Sequence, residues 1–428
     1  VRLDRLEEYL LRQAGILNNA GARFLITIPQ AMPVAYLLRK AVPSLREMTT
    51  PDELARLGRP ASGAAGASDD PGLVQYTSGS TSSPRGVLLT HANLLANIRA
   101  IAEGLALQPT DAAASWLPLY HDMGLIGTWL FCLYHGIPLA LLSPLSFLAR
   151  PERWLWAIHQ RRATLSAAPN FAYELCVRKV SDAALEGLDL SSWRCALNGA
   201  EPVSPDTLER FTRRFERYGF RREALMPAYG LAECSVALCF PPVGRGPLVD
   251  RVARLPSEHH GRAEAAAQHD RSALRFVSVG SALPRHEVQI INDLGEPVPE
   301  RVVGRLVFRG PSAMSGYFRN PEATAAVTRA DGWLESGDLA YHAAGEFYIA
   351  GRQKDVIIIG GRNYIPQEIE EVAGSVEGIR KGCVAAFGVA DPTLGTEALV
   401  VVAETRATSG EEKLRLEGAV IARIAADV

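Results

Sequence analysis

The sequence predicts an α/β chain. It comprises a large N-terminal domain of parallel sheets with helices and a small antiparallel β subdomain, followed by a small α+β C-terminal domain. Three observations predict this. From residue 73 to about 235, short apolar strands alternate with helical stretches, as parallel strands joined by crossover helices require. From Phe276 to about Ile349 the texture becomes strand and turn, as in an antiparallel sheet. From Gly351 the pattern resets, with a helix over 366–376 and strands over 383–387 and 398–403. The domains implied are 1–351 and 352–428. A length of 428 residues has room for two or three domains with large cores.

Along the chain, residues 1–55 mix helical and strand patterns, and Phe-Leu-Ile-Thr-Ile at 24–28 reads as a buried strand. Residues 56–72 are rich in Ala, Gly, Ser and Pro and read as a linker. A strand over 73–76 then meets the most informative stretch, Gln75-Tyr-Thr-Ser-Gly-Ser-Thr-Ser-Ser-Pro-Arg-Gly-Val87. Thr77, Ser78, Ser80, Thr81, Ser82 and Ser83 surround Gly79, and the loop closes on Pro84, Arg85 and Gly86. Glycine lets backbone N–H groups approach anionic oxygens, and the hydroxyls and guanidinium add donors, so the loop suits a polyphosphate. It is not the Walker type, which needs Gly-Lys-Ser/Thr at the helix start. Taken alone it also fits a flexible Ser/Gly linker. A helix over 91–103 follows, with Thr90 as its cap.

The second motif is Trp116-Leu-Pro-Leu-Tyr-His-Asp-Met-Gly-Leu-Ile-Gly127, where His121 precedes a glycine-punctuated apolar helix. That places an imidazole at the mouth of an apolar tunnel; a satisfied core histidine is the plainer reading. Residues 123–149 contain no Asp, Glu, Lys or Arg, which is long enough to cross a bilayer. Gly136, Pro138, Pro144 and His135 break the run. A buried helix over 123–134, a turn and a strand over 138–142 explain it more simply, and no transmembrane segment is expected.

Further strands are expected over 164–167 and 195–197. The second of these leads into Leu197-Asn-Gly-Ala-Glu-Pro202, where Asn198, Gly199 and Ala200 offer backbone for a flat ring at a strand's carboxyl end. In Pro227-Ala-Tyr-Gly-Leu-Ala-Glu233, Tyr229 can stack on a base and Glu233 can bind a hard cation such as Mg²⁺. Residues 209–223 open as a basic, aromatic amphipathic helix, better explained by a solvated face over a Phe/Tyr stripe than by a dock for an acidic protein. Residues 240–277, with Pro241-Pro242 and His259-His260, have no clear period and read as an insertion at the surface rather than a core element. In Gly332-Trp-Leu-Glu-Ser-Gly-Asp338 the carboxylate can accept from two vicinal ribose hydroxyls. Beyond it, Arg352 of Gly351-Arg-Gln-Lys-Asp355 can pair with a phosphate, and Pro366 opens the next helix.

Each motif has a plain structural reading, but five in one order share none. Together they resemble the adenylate-forming superfamily of acyl-CoA synthetases, peptide-synthetase adenylation domains and luciferases. The His121, Asn198 and Asn363 motifs are most similar to those of fatty acyl-AMP ligases. The resemblance implies an ATP- and Mg²⁺-dependent ligase that converts a fatty acid to acyl-AMP and pyrophosphate, for transfer to an acyl carrier protein or a polyketide or peptide synthase carrier domain. It implies that the loop, with Thr77, Ser78, Gly79, Ser80, Thr81, Arg85 and Gly86, holds the β- and γ-phosphates, and that Thr81 and Glu233 serve the metal. Tyr229, Asn198, Gly199 and Ala200 would frame adenine, Asp338 would take the ribose, and Arg352 would lie nearby. His121 would sit between the α-phosphate and the acyl carboxylate, residues 123–134 would line the acyl tunnel, and Lys354 would mark the hinge of a rotating C-terminal domain. The insertion would restrain that domain from the pose that admits coenzyme A. Ser82 and Arg85 depart from the usual Gly and Lys, and the family's C-terminal catalytic lysine motif has no match. A coenzyme A ligase of the same fold and an inactive acyl-nucleotide binding module remain alternatives.

The balance of charge, −2 overall, gives no electrostatic case for nucleic acid. The six cysteines show no metal spacing and fit a reducing cytoplasm. The chain has no Met before Met32 and stops within an amphipathic stretch that begins at Glu411, which reads as a fragment.

Overall fold

A computed structural model describes residues 6–58, 66–77, 85–359, 362–391 and 396–428. It divides into two compact units. One holds the chain up to Asn97 together with Ala232–Val236 and Pro311–Ala330; the other holds Ile98–Leu231, Ala237–Gly310 and Asp331–Val428.

In the first unit the strands Pro71–Thr77 and Arg85–Thr90 pair antiparallel, with Thr77 opposite Arg85, and Gly316–Tyr317 pairs on the far side of Arg85–Thr90. The hydroxyl-rich loop thus joins two strands, where the sequence predicted a strand, the loop and then the helix, with no second strand between. Val87 and Leu89 explain the second strand: they alternate along it and are fully buried. The helix His91–Gly104 follows. Thr90 does cap it, since Asn93 N–H donates to Thr90 Oγ1 at 3.1 Å and Thr90 N–H donates to Asn93 Oδ1 at 2.9 Å. The predicted buried strand at 24–28 is a correction. Phe24–Ile26 pairs in parallel with Glu47–Thr49 alone, and Phe24 and Ile26 are 62% and 57% exposed. Only Leu25, on the opposite face, meets the small core of Ala14, Leu38, Val42 and Leu45.

The second unit is built on five parallel strands in the order Leu139–Leu141, Ala113–Ser115, Leu165–Ala168, Cys195–Asn198, Leu225–Pro227. Helices cover this sheet through an aromatic core. Trp154 and Trp193 meet edge to face at 5.2 Å, and Phe211 packs on Tyr173 at 5.0 Å. Phe211 belongs to the helix Pro205–Phe215, whose apolar stripe of Leu208, Phe211 and Phe215 is buried. Its arginines pair with neighbouring carboxylates, Arg210 with Glu174 and Arg214 with Asp182. The solvated-face reading of this helix therefore fits.

The charge-free stretch forms Asp122–Gly124, a π-helix Leu125–Leu130 and the helix Phe131–His135, then the strand Leu139–Leu141. Ile126, Phe131 and Cys132 are buried, whereas Trp129, Leu133 and Tyr134 are exposed. Among the described residues no helix is long and apolar enough to cross a membrane.

A four-stranded antiparallel sheet, Glu287–Ile291, Gly304–Arg309, Leu334–Ala343 and Glu346–Arg352, forms the predicted subdomain. Residues 240–277 differ from expectation. They form Val249–Val252, the short helix Arg254–His260 and Leu274–Val277, with the first and last paired antiparallel. Val252 and Ala263 are fully buried in one cluster with Tyr341 and Tyr348. This segment is a core element as well as a surface one, because its strand pair supplies apolar side chains that the small sheet needs to cover one face.

The last part of the chain packs the helices Pro366–Gly374 and Gly410–Asp427 on the hairpin of Ile379–Asp391 and Thr396–Thr405, around Ile357, Ile369 and Ala386. Within the second unit it is tied to the segment above. Arg254 of the short helix pairs with Glu368, with one contact at 3.1 Å, and also with Glu258 at 3.1 Å.

Candidate active site

The candidate site in the second unit starts at the carboxyl ends of the last two parallel strands, where Asn198 lies in register with Pro227. Ala228 N–H donates to Asn198 O at 2.8 Å and carries the pairing one residue further. Gly199 follows, and a Cβ there would stand 2.7 Å from the Ala228 carbonyl oxygen, so only glycine lets the two backbones approach. Ala200 then turns left-handed at φ +67°. A non-glycine residue in that region carries local strain, a feature common where a ligand must meet the backbone.

Tyr229 exchanges both backbone hydrogen bonds with Cys239. That fixes the direction of its side chain, and its phenol donates to Asp338 Oδ2 at 2.6 Å. Asp338 sits across the sheet from Arg352, whose Nε lies 3.5 Å from Asp338 Oδ1. The Asp338 backbone N–H donates to Ser336 Oγ at 3.0 Å, and that hydroxyl donates on to Leu306 O at 2.8 Å. Burial pushes the Asp338 carboxyl above the ordinary value, opposed by the Tyr229 hydrogen bond and the charges of Arg352 and Lys354. Burial also pushes the Tyr229 phenol far up, so it remains a donor. Lys354 lies exposed in the turn after Arg352.

His121 stands immediately before the short helix Asp122–Gly124, where Asp122 Oδ1 accepts from Met123 N–H at 2.6 Å. Its Nδ1 donates to Asp122 Oδ1 at 2.7 Å, and this bond lifts the imidazole above its ordinary value against the effect of burial. With Nδ1 engaged, Nε2 is the edge left for a ligand. A Cβ on Gly124 would meet the Pro118 carbonyl oxygen at 2.3 Å, which is why the helix can turn so close behind the imidazole.

The first unit holds the other half of the predicted set. Thr77 and Arg85 close the ends of the hairpin, and Gly86 packs on Tyr76 across it. Ser78, Gly79, Ser80 and Thr81 lie outside the described residues. Glu233, in the helical turn Ala232–Cys234, accepts from the Tyr317 phenol at Oε1, 2.7 Å away. Its other oxygen meets no donor among the described residues. Among those residues no group of three or more His, Cys, Asp or Glu could hold a metal by itself. One carboxylate with one open oxygen suits Mg²⁺ shared with substrate phosphates, not an all-protein cage.

Tyr317 and Asp122 were missed as site residues. Asp122 directly follows His121 in the sequence. Tyr317 lies in Gly316-Tyr-Phe-Arg-Asn-Pro-Glu-Ala-Thr324, where a polar aromatic beside a capped helix was the available signal.

A family model described as AMP-binding enzyme matches residues 11–318. The chain belongs to this family. It is 40% identical over 354 residues to a Caulobacter vibrioides protein whose name assigns it provisionally to the acyl-CoA synthetases, covering 82% of this chain and 62% of that one. It is 40% identical over 348 residues to a medium-chain fatty acid–acyl-carrier-protein ligase of Moorena producens, covering 79% and 58%. A solved structure of the fatty acyl-adenylate ligases of E. coli and L. pneumophila superposes with a TM-score of 0.92 at 38% identity, over 98% of this chain and 75% of that one. The chain thus spans about three fifths of the length of these two curated relatives.

Proposed function

We propose that the protein activates a fatty acid carboxylate with ATP, forming acyl-AMP and pyrophosphate, and passes the acyl group to the thiol of a carrier protein. The observation that carries this reading is the Tyr229–Asp338–Arg352 cluster beside the Asn198–Ala200 turn, in a chain of the AMP-binding family. Asp338, braced by Tyr229 and Ser336, accepts from the ribose hydroxyls. Adenine lies against the close backbones of Gly199 and Ala228, with the Tyr229 ring beside it. The 77–86 loop, with Arg85, binds the β- and γ-phosphates.

His121 holds a proton on Nδ1 through Asp122 and presents Nε2 to the acyl carboxylate and the α-phosphate. The carboxylate oxygen attacks the α-phosphorus, and the bond to the bridging oxygen breaks to release pyrophosphate. Chain groups position the reactants and offset charge rather than react themselves. Glu233 and Thr81 would hold Mg²⁺, which would supply charge neutralisation for the phosphate oxygens.

Residues 352–428 form the C-terminal domain, turning about Lys354, and the 240–277 segment restrains it from the pose that admits coenzyme A. Support for a carrier as acceptor comes from the Moorena relative's name and from the Arg254–Glu368 tie between that segment and the C-terminal part.

The test is to incubate the complete gene product with ATP, Mg²⁺ and fatty acids of graded length, with either coenzyme A or a carrier protein, and to identify products by mass. Acyl-AMP, and acyl-carrier when carrier is present, is the expected result. Rapid acyl-CoA formation would move the protein to the coenzyme A ligases. Nucleotide binding without any adenylate would make it a binding module.

A further inference from the structure

The segment that carries Tyr317 meets the Glu233 turn at three points, all inside the first unit. Met314 N–H donates to the Glu233 backbone carbonyl at 2.8 Å. Ser235, fully buried and left-handed at φ +62°, donates its hydroxyl to Ser312 O at 3.0 Å. The Tyr317 phenol then reaches the Glu233 carboxylate at 2.7 Å. Tyr317 is itself fixed: Thr324 Oγ1 accepts from its backbone N–H at 2.9 Å, and its side chain is buried.

Over the same ring stands Arg85, with its guanidinium carbon 5.3 Å from the ring centroid. No ion pair joins Arg85 to Glu233, although both opposite charges meet the same tyrosine. Tyr317 engages both groups, Arg85 against its ring and Glu233 through its hydroxyl, and among the described residues the second carboxylate oxygen stays open. A phenol can donate one hydrogen bond, which leaves the carboxylate's charge intact while fixing its direction.

We propose that Tyr317 is a positioning residue for the divalent cation: it orients Glu233. This rests on the reading of Glu233 as the metal carboxylate. The measurement is Mn²⁺ binding to the complete gene product in the presence of ATP and without fatty acid, followed by the free Mn²⁺ resonance.

Tyr317→Phe keeps the ring and loses the hydrogen bond, and is expected to weaken Mn²⁺ binding roughly three- to tenfold, the usual worth of one net hydrogen bond. Glu233→Asp withdraws the carboxylate from the phenol by one methylene and keeps the charge. It is expected to lose affinity too, and adding Tyr317→Phe to it should cost little more, because both changes remove one contact. Thermal unfolding midpoints check that each variant folds, and Glu233→Asp carries the test if Tyr317→Phe does not. Unchanged Mn²⁺ affinity in Tyr317→Phe, or full additivity with Glu233→Asp, overturns the proposal. Glu233→Gln separates the two readings. If it leaves Mn²⁺ affinity untouched, the metal assignment falls and this proposal with it. If it lowers affinity while Tyr317→Phe does not, only the proposal falls.

Discussion

The phenol of Tyr229 donates to the Asp338 carboxylate at 2.6 Å, across 109 positions of sequence. One residue sits just beyond a parallel strand and the other on an antiparallel strand of the small sheet, so the bond joins two parts of the second unit at the place proposed for the nucleoside. Asp338 is held there against its own solvation, since burial raises its carboxyl above the ordinary value. The folded protein therefore bears a cost for the ionised form at every pH above that raised value. The cost disappears only below the unfolded value, where both states are protonated.

Asp338→Asn should accordingly leave the nucleotide-free protein as stable as the parent at pH 7, or more so. The same change should weaken ATP binding by about 1.5–3 kcal/mol, the range for a hydrogen bond to a charged group, or roughly ten- to hundredfold. Thermal unfolding and calorimetric titration with ATP measure the two effects. A variant that loses stability and keeps full ATP affinity would mean that Asp338 braces the sheet and does not bind ribose.

Gly199→Ala tests the close approach of the two strand ends. The added Cβ would stand 2.7 Å from a backbone oxygen, which cannot rotate away as a side chain could. A loss of about 1–3 kcal/mol in stability is expected, as for other overpacked sites, together with weaker ATP binding as the turn shifts. Asn198→Ala is no substitute test, because it removes a buried side chain without displacing the backbone. Parental stability and ATP affinity in Gly199→Ala would show that the turn yields freely and does not set the adenine position.

The pair of His121 and Asp122 predicts a pH signature. The bond from Asp122 raises the imidazole's folded value above the ordinary 6.5. Its contribution to stability is fully present below 6.5 and fades as pH rises through the raised value. Asp122→Asn should lower the His121 titration midpoint, read from the ring-proton resonances. The unfolding midpoint of the variant should fall further behind the parent at acid pH than at pH 9. A His121 resonance that titrates alike in both proteins would remove Asp122 from the account.

Much of this was legible in the sequence, and what was not has a common cause. The order of motifs from Thr77 to Lys354 and the parallel-then-antiparallel sequence of sheets could be read from local pattern, because strand period, caps and glycine positions are local properties. The cap at Thr90 and the helix from Pro366 are of this kind. The strand Arg85–Thr90 was missed because its apolar run is short and abuts a strong helix signal. Tyr317 and Asp122 were missed because their roles are hydrogen bonds to particular partners. Tyr317 reaches Glu233 across 84 positions, which no periodicity records. The burial of Val252 and Ala263 was misread for the same reason: the partners that bury them, Tyr341 and Tyr348, lie far along the chain.

The burial of Val252 and Ala263 also limits how the proposed restraint on coenzyme A can be tested. Deleting 244–272 would remove Val252 and Ala263 from a core and unfold more than a restraint. The contact itself is a narrower target. Arg254 lies between two carboxylates, Glu368 and the nearly buried Glu258, and its Nε also donates to Ser272 O at 3.0 Å. Burial raises the Glu368 carboxyl even with Arg254 beside it. Taking the cation away leaves both carboxylates without their counter-charge, a change that commonly costs about 3–5 kcal/mol. The protein can recover part of this by letting the helix Pro366–Gly374 move off. Arg254→Met should therefore raise amide exchange in 366–374 while the sheet strand Cys195–Asn198 keeps its protection. If the tie is a restraint, acyl-CoA formation by the complete gene product should rise as well, with adenylate formation unchanged. Raised exchange without any acyl-CoA would make the tie structural and leave the acceptor to be set elsewhere. Unchanged exchange in 366–374 would mean that Arg254 does not hold the C-terminal part at all.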